Sequence, residues 1–197
     1  REHALVWRIA KSRKIEKLFC APGNPGIAQL AECVHIKADD ISGLRDFAVK
    51  EKIDLTIIGP ELPLTLGIVD SFEDKGLNIF GPLKKAAELE GSKVFAKDLM
   101  QKYGVPTAGY RVFKNSKDAK EYVKGHSLPL VVKADGLAAG KGVIICKTEE
   151  DASDAIKLIM EKKAFGKAGD RVIVEEFLKG QEVSFLAITD GKTVIPL

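Results

Sequence analysis

Lys133 and Lys141 bracket the small-residue run Ala134-Asp135-Gly136-Leu137-Ala138-Ala139-Gly140, and Gly142 follows the second lysine. Leu130-Val131-Val132 before the run and Val143-Ile144-Ile145 after it are apolar, β-branched strand patterns. Glycine and alanine leave backbone N–H groups uncovered, so phosphate oxygens can approach the loop while the two ammonium groups supply charge at either end. The chemistry this spacing serves is the clamping of a nucleoside triphosphate. A flexible hairpin with solvated lysines is the plain alternative.

A Walker A loop does not fit, because it needs Gly-x-x-x-x-Gly-Lys followed by Ser or Thr at the start of a helix. Here Gly136 and Gly140 stand one residue too close, Gly142 occupies the place of the metal-binding hydroxyl, and strand formers follow. A strand–turn–strand flap is instead how ATP-grasp enzymes cover ATP. The second chemically loaded stretch is Ile173-Val174-Glu175-Glu176-Phe177-Leu178-Lys179-Gly180-Gln181-Glu182. Its strand can offer backbone groups to an adenine edge and an apolar wall to the adenine face, with a later carboxylate for ribose hydroxyls. Taken alone, it also fits a strand end with solvated acids.

The elements that must position these groups alternate. Over the first ninety residues, a helix is expected at Glu2 to Lys11, a strand at Lys17 to Ala21, a helix at Ile41 to Lys50 and a fully buried strand at Leu55 to Gly59. A helix at Leu64 to Lys75, a strand at Leu77 to Gly81 and a helix at Lys84 to Glu90 follow. This order suits a parallel sheet with crossover helices. The loops Ala21-Pro22-Gly23-Asn24-Pro25-Gly26 and Gly59-Pro60-Glu61-Leu62-Pro63 fall at the carboxyl ends of strands, where open α/β sheets bind ligands, although Pro, Gly and Asn are also ordinary turn formers.

After a composition shift at Glu90-Gly91-Ser92-Lys93, Ser92 is expected to cap a helix running to about Tyr103. A strand at Tyr110 to Phe113, a helix at Ser116 to Lys124, the two clamp strands and a helix from Glu149 to about Lys162 come next. In that last helix Ala152, Ala155, Ile156, Ile159 and Met160 form a packing stripe. Strands at Arg171 to Leu178 and Glu182 to Thr189, and a tight Asp190-Gly191 hairpin turn, complete the pattern.

With 197 residues, 45% hydrophobic and 30% charged, the chain has ordinary globular composition for one large or two small domains. A net charge of +3 without a basic run argues against nucleic acid as a partner, and no apolar stretch approaches a membrane span. Three widely spaced cysteines suit neither a disulfide framework nor a zinc site, so a cytoplasmic location is expected. No Met precedes Arg1, and Thr193 to Leu197 breaks off within a strand pattern, so a fragment is expected.

The chain resembles the phosphoribosylamine-glycine ligase (glycinamide ribonucleotide synthetase) family of ATP-grasp enzymes, which serves de novo purine biosynthesis. The resemblance is carried in order by Arg1-Glu2-His3-Ala4, Ala21-Pro22-Gly23-Asn24, Gly59-Pro60-Glu61, Phe80-Gly81-Pro82, Glu90-Gly91-Ser92-Lys93, Val131 to Val143 and Val174-Glu175-Glu176-Phe177-Leu178. Pro25 and Leu62 depart from the alanines usual there. The fold implied is α/β: a Rossmann-like pre-ATP-grasp N-terminal domain over residues 1–90, its first strand preceding Arg1, then the first part of an ATP-grasp domain over residues 91–197.

The resemblance further implies that Lys93 and Lys133 contact ATP phosphates, Lys133 catalytically, and that Asp135, Gly136, Leu137, Ala138, Ala139, Gly140, Lys141 and Gly142 cover them. Glu175, Glu176, Phe177 and Leu178 would hold adenine, chiefly through backbone at Glu176 and Leu178, and Glu182 the ribose. Asn24, Pro60 and Glu61 would face phosphoribosylamine. The implied reaction joins glycine to phosphoribosylamine through glycyl phosphate, using ATP with magnesium or manganese. The metal ligands, a Glu and an Asn, are expected beyond Leu197, and the chain is expected to be inactive alone. Another ATP-grasp carboxylate-amine ligase and a nucleotide-binding module without turnover remain alternatives.

Overall fold

A computed structural model describes residues 1–138 and 140–197, so Ala139 of the expected phosphate loop lies outside the described residues. Two short parallel strand pairs organise the N-terminal part. Strand β1 (Phe19–Cys20) pairs with β2 (Glu32–Cys33), and β3 (Thr56–Ile57) pairs with β4 (Ile79–Phe80). Around them run α1 (Glu2–Ile9), α2 (Ile41–Lys50), α3 (Glu61–Leu66), α4 (Ile68–Glu73) and α5 (Lys84–Gly91). Helix α2 starts where expected because Asp40 caps it, accepting the Gly43 N–H at 2.9 Å. Ala48, Ile68, Val69 and Phe72 form the core between α2 and α4, with Leu44, Ile58 and Ile79 packed against them.

Several local expectations need correction. The strand expected to be fully buried at Leu55 to Gly59 covers only Thr56–Ile57, with Leu55 and Ile57 exposed at 55% and 40%. It has one strand neighbour, β4, among the described residues. The helix expected at Leu64 to Lys75 is two helices, broken where Gly67 adopts φ +90°. Glu61, Leu62 and Pro63 belong to the first turn of α3, not to a loop, since proline is compatible with a first helical turn. A strand at Glu32–Cys33 was not anticipated in the sequence.

The C-terminal part is built on a four-stranded antiparallel sheet of β5 (Tyr110–Phe113), β6 (Leu130–Ala134), β7 (Val143–Cys146) and β8 (Val172–Glu176), in the order β5-β8-β6-β7. One face packs on α7 (Ser116–Val123) and α8 (Glu149–Ile156). Leu130, Val132, Ala134, Val172 and Val174 meet Ala119, Val123, Ala152, Ile156 and Ile159 in a nearly dry core. The apolar stripe expected in the last helix is therefore buried, although the helix passes into a π turn over Lys157–Glu161. Helix α6 (Lys93–Lys102) begins at Ser92, whose hydroxyl accepts the Phe95 N–H at 3.1 Å as expected. The boundary expected after residue 90 falls inside α5.

Beyond β8, the strand expected from Glu182 shortens to β9 (Ala187–Thr189), which pairs with β10 (Val194–Pro196) in an exposed hairpin. Its turn spans Asp190 to Thr193, where the Asp190 carboxylate accepts both the Lys192 and Thr193 N–H groups. Among the described residues no third strand pairs with this hairpin.

Candidate active site

Strand alternation sends Val131, Lys133, Ile173, Glu175, Tyr110 and Val112 to the sheet face opposite the α7/α8 core, together with Val143 and Ile145. Helix α6 covers only part of that face. Lys97 of α6 is buried against Glu175, whereas Val143 and Ile145 are exposed at 45% and 54%. An open sheet face with two cations and apolar walls is therefore set between the glycine-rich loop at one end and the Glu175–Leu178 segment at the other.

The cations have distinct surroundings. Lys133 donates to Glu175 Oε2 at 2.7 Å, and its side chain keeps about a quarter of its surface open (24%). Lys93 opens α6 and donates to the Gly136 carbonyl at 2.8 Å. Burial pushes the Lys93 ammonium below its ordinary value, while Asp135 and Glu90 pull it back up and Lys133 adds to the depression. An incoming polyphosphate would relieve that depression, because an anion favours the charged ammonium. Lys141 is exposed, and its backbone N–H bonds the Ala138 carbonyl at 2.9 Å.

Among the other residues expected to cover phosphate, Asp135 does different work. Its carboxylate is buried and accepts the Ser92 hydroxyl at 3.0 Å and the Val94 N–H at 3.1 Å, and it pairs with Arg171. It fastens the start of the loop to the N-terminus of α6, where a negative charge is favourable. Gly136 (φ +123°) and Gly140 (φ +76°) occupy backbone conformations suited to glycine. Leu137 is exposed and Ala138 half-buried, while Gly142 is buried and its carbonyl accepts the Ala134 N–H at 2.8 Å, extending the ladder. The free span is thus shorter than the sequence suggests. The Gly140 amide is expected to exchange rapidly without nucleotide and slow when an ATP analogue binds, while those of Ala134 and Asp135 stay protected throughout. Hydrogen exchange measures this, and an unchanged rate at Gly140 would contradict a closing flap.

At the other end, Glu175 projects its side chain into the site. Glu176 turns the opposite way: its carboxylate accepts the Gly109 N–H at 3.0 Å, and its own N–H bonds the Gly109 carbonyl at 3.0 Å. That leaves the Glu176 carbonyl as its backbone group for a ligand. Phe177 is half-buried, Leu178 is exposed at 63%, and Glu182 is exposed. Sequence reasoning missed Lys97, Arg171 and Ser92 as partners of these acids. For Lys97 and Arg171 the only signal was charge of the right sign on neighbouring elements, and for Ser92 a hydroxyl already assigned as a helix cap.

A second cluster gathers at the ends of β1 and β3. Asn24 Oδ1 accepts the Gly26 and Ile27 N–H groups at 3.0 and 3.1 Å, shaping the turn and leaving its amide N–H groups outward. Pro60 precedes α3, and Glu61 pairs with Arg1, which holds the Glu61 carboxyl below its usual range. The first turn of α1 lies against both loops: a Cβ on Gly26 would stand 2.9 Å from the His3 ring, and one on Gly59 3.0 Å from Glu2. Glu90 is within electrostatic reach of both Arg1 and Lys93, so the two clusters are neighbours. Two shallow clefts lie beside these groups, one between α3 and α5 with Glu61 and Glu90, the other at the β5 edge with Tyr110 and Glu176.

Among the described residues, no three His, Cys, Asp or Glu side chains converge as metal ligands. The carboxylates nearest the lysines, Glu175 and Asp135, are already engaged by cations. These residues do not fit a resident magnesium or manganese ion. No described helix is long and apolar enough to cross a membrane.

Residues 1–90 match the family model described as phosphoribosylglycinamide synthetase, N domain, and residues 91–197 the one described as phosphoribosylglycinamide synthetase, ATP-grasp (A) domain. The phosphoribosylamine–glycine ligase of Clostridium acetobutylicum is 51% identical over 196 residues, covering 100% of this chain and 47% of its own. That of Caldanaerobacter subterraneus subsp. tengcongensis is 52% identical over 197 residues, again covering 100% and 47%. The chain spans about half the length of the curated relatives it matches. Among solved structures, phosphoribosylamine–glycine ligase from Thermotoga maritima is similar with a TM-score of 0.78 and 33% identity, covering 100% of this chain and 46% of that one. The biotin carboxylase domain of Hydrogenobacter thermophilus 2-oxoglutarate carboxylase shares the fold, with a TM-score of 0.71 at 20% identity over 90% of this chain and 42% of its own.

Proposed function

We propose that this chain, which belongs to the phosphoribosylglycinamide synthetase family, supplies the nucleotide-binding face and part of the amine site of an ATP-dependent carbon–nitrogen ligase joining glycine to phosphoribosylamine. The observation that carries the reading is the open sheet face on which Glu175 holds Lys133, with Lys93 and the glycine-rich loop at its end. In this reading residues 1–90 form the N-terminal domain and residues 91–197 the first part of the ATP-grasp domain.

The glycine carboxylate attacks the γ-phosphorus of ATP, breaking its bond to the bridging oxygen and giving glycyl phosphate and ADP. The phosphoribosylamine nitrogen then attacks the acyl carbon, phosphate leaves, and the nitrogen loses a proton to give glycinamide ribonucleotide. Such transfer needs alignment and charge neutralisation more than covalent help. Lys93 and Lys133 supply cationic N–H donors, the Glu176 carbonyl and Leu178 receive adenine beside the Ile145 and Val131 wall, and Glu182 accepts ribose hydroxyls. Asn24, Pro60 and Glu61 face the amine. The required magnesium or manganese finds its ligands outside these residues.

The test is glycine-dependent ADP release by the full-length gene product with freshly generated phosphoribosylamine. Turnover with glycine and not with other amino acids is expected, and equal turnover with D-alanine or bicarbonate would move the protein to another ATP-grasp reaction. A finer expectation concerns Glu182→Ala, which should weaken ATP about 10-fold or more while barely affecting 2′,3′-dideoxy-ATP, because charged hydrogen bonds to hydroxyls are worth roughly 1.5–3 kcal/mol. Equal loss for both nucleotides would remove Glu182 from the ribose.

A further inference from the structure

We propose that Lys97 is a positioning residue for anion binding, holding the Glu175 carboxylate so that the Lys133 ammonium stays available to a phosphate. The proposal rests on the nucleotide-binding reading above. Lys97 has three N–H groups and three partners: Thr107 Oγ1 at 2.9 Å, the Ala108 carbonyl at 3.2 Å and Glu175 Oε2 at 3.1 Å. Its side chain is only 9% exposed, so it does not itself greet a ligand. Lys133 shares the same carboxylate oxygen at 2.7 Å yet keeps 24% of its side chain open.

Charge counting explains the arrangement. One carboxylate with one ammonium would be neutral and a poor phosphate site. Two ammonium groups on one carboxylate leave a net positive charge, and because Lys97 is fully bonded to protein, that charge is expressed at Lys133. The bonds to Thr107 and Ala108 also fix Lys97 from a third segment, so Glu175 is held whether or not nucleotide is present. Glu175 Oε1 is buried with no hydrogen-bond partner among the described residues, so the carboxylate depends on its Oε2 cations. The groups facing Glu175 are Lys93 and Lys97 from α6, Lys133 from β6 and Tyr110 from β5. Asp98 engages the Tyr110 hydroxyl, Asp135 and Glu90 act on Lys93, and Glu176 on the same strand faces Gly109.

Removing Lys97 leaves Glu175 and Lys133 as a one-to-one pair. That pair is neutral overall and attracts no anion.

The experiment measures binding of a non-hydrolysable ATP analogue with magnesium, and of adenosine, to the full-length gene product. Lys97→Met is expected to weaken the triphosphate about 10- to 100-fold, while adenosine binding stays unchanged. Adding Glu175→Gln to Lys97→Met should restore triphosphate binding, which repair of a merely structural lesion would not do. Glu175→Gln alone, retaining Lys97, should bind triphosphate at least as tightly as wild type, and this arm stands if Lys97→Met fails to fold. Equal losses for adenosine and triphosphate, no rescue in the double variant, or weaker binding in Glu175→Gln alone would each overturn the role of Lys97. A wild-type protein that binds neither ligand would overturn the nucleotide reading and this proposal together.

Discussion

Lys133→Met is expected to lower turnover of the full-length gene product about 100- to 1,000-fold, the usual loss when one preorganised donor to developing charge is removed. The glycine KM should change little, because the ammonium stands on the sheet face proposed for ATP phosphates. Methionine keeps most of the stem volume, so the sheet should remain folded and the loss should appear in kcat. The substitution also strips Glu175 of the nearer of its two cations, at 2.7 Å, and leaves Lys97 at 3.1 Å to hold it. Steady-state kinetics with ATP and glycine varied separately would check this. Equal turnover in variant and wild type would place the Lys133 ammonium away from the transferred phosphoryl group.

Asp135→Ala is expected to destabilise the chain by about 2–3 kcal/mol and to raise the ATP KM. The buried carboxylate satisfies the Ser92 hydroxyl and the Val94 N–H, and its loss leaves the amide without a partner at a helix start, which costs roughly 1–3 kcal/mol. The contribution of Arg171 is smaller, because that side chain is 40% exposed and water screens the pair. Against a total stability of about 5–15 kcal/mol this is a large fraction. Urea unfolding would show a lower midpoint with an unchanged slope. A midpoint equal to wild type would mean that the loop is fastened by Lys93 and the sheet ladder instead.

The sequence by itself determined those features whose cause lies within a few residues. Ile41–Lys50 and Tyr110–Phe113 form the expected elements because a capping aspartate and a short β-branched, aromatic run act locally. The glycine-rich hairpin, the Ser92 cap and the apolar stripe of α8 were legible for the same reason. Local signals failed where neighbours outside the window decide. Glu182 to Leu186 reads as a strand yet has no ladder partner among the described residues. Gly67, by contrast, is a local breaker that the apolar spacing around it conceals.

Only the tertiary structure decided what the charged groups do. In the sequence Lys97 is one of several lysines on an amphipathic helix, for which a solvated position is the ordinary expectation, and Asp135 is one polar residue in a flexible-looking loop. The order β5-β8-β6-β7 brings β8 between β5 and β6, which sets Glu175 opposite both Tyr110 and Val131 and within reach of lysines from two other elements. Strand order is fixed by burial of the whole α7/α8 face, a sum over many distant contacts, and no short stretch of sequence contains it. Residue type supplied the charges, and the long-range packing of the sheet chose which of them remains free for a ligand.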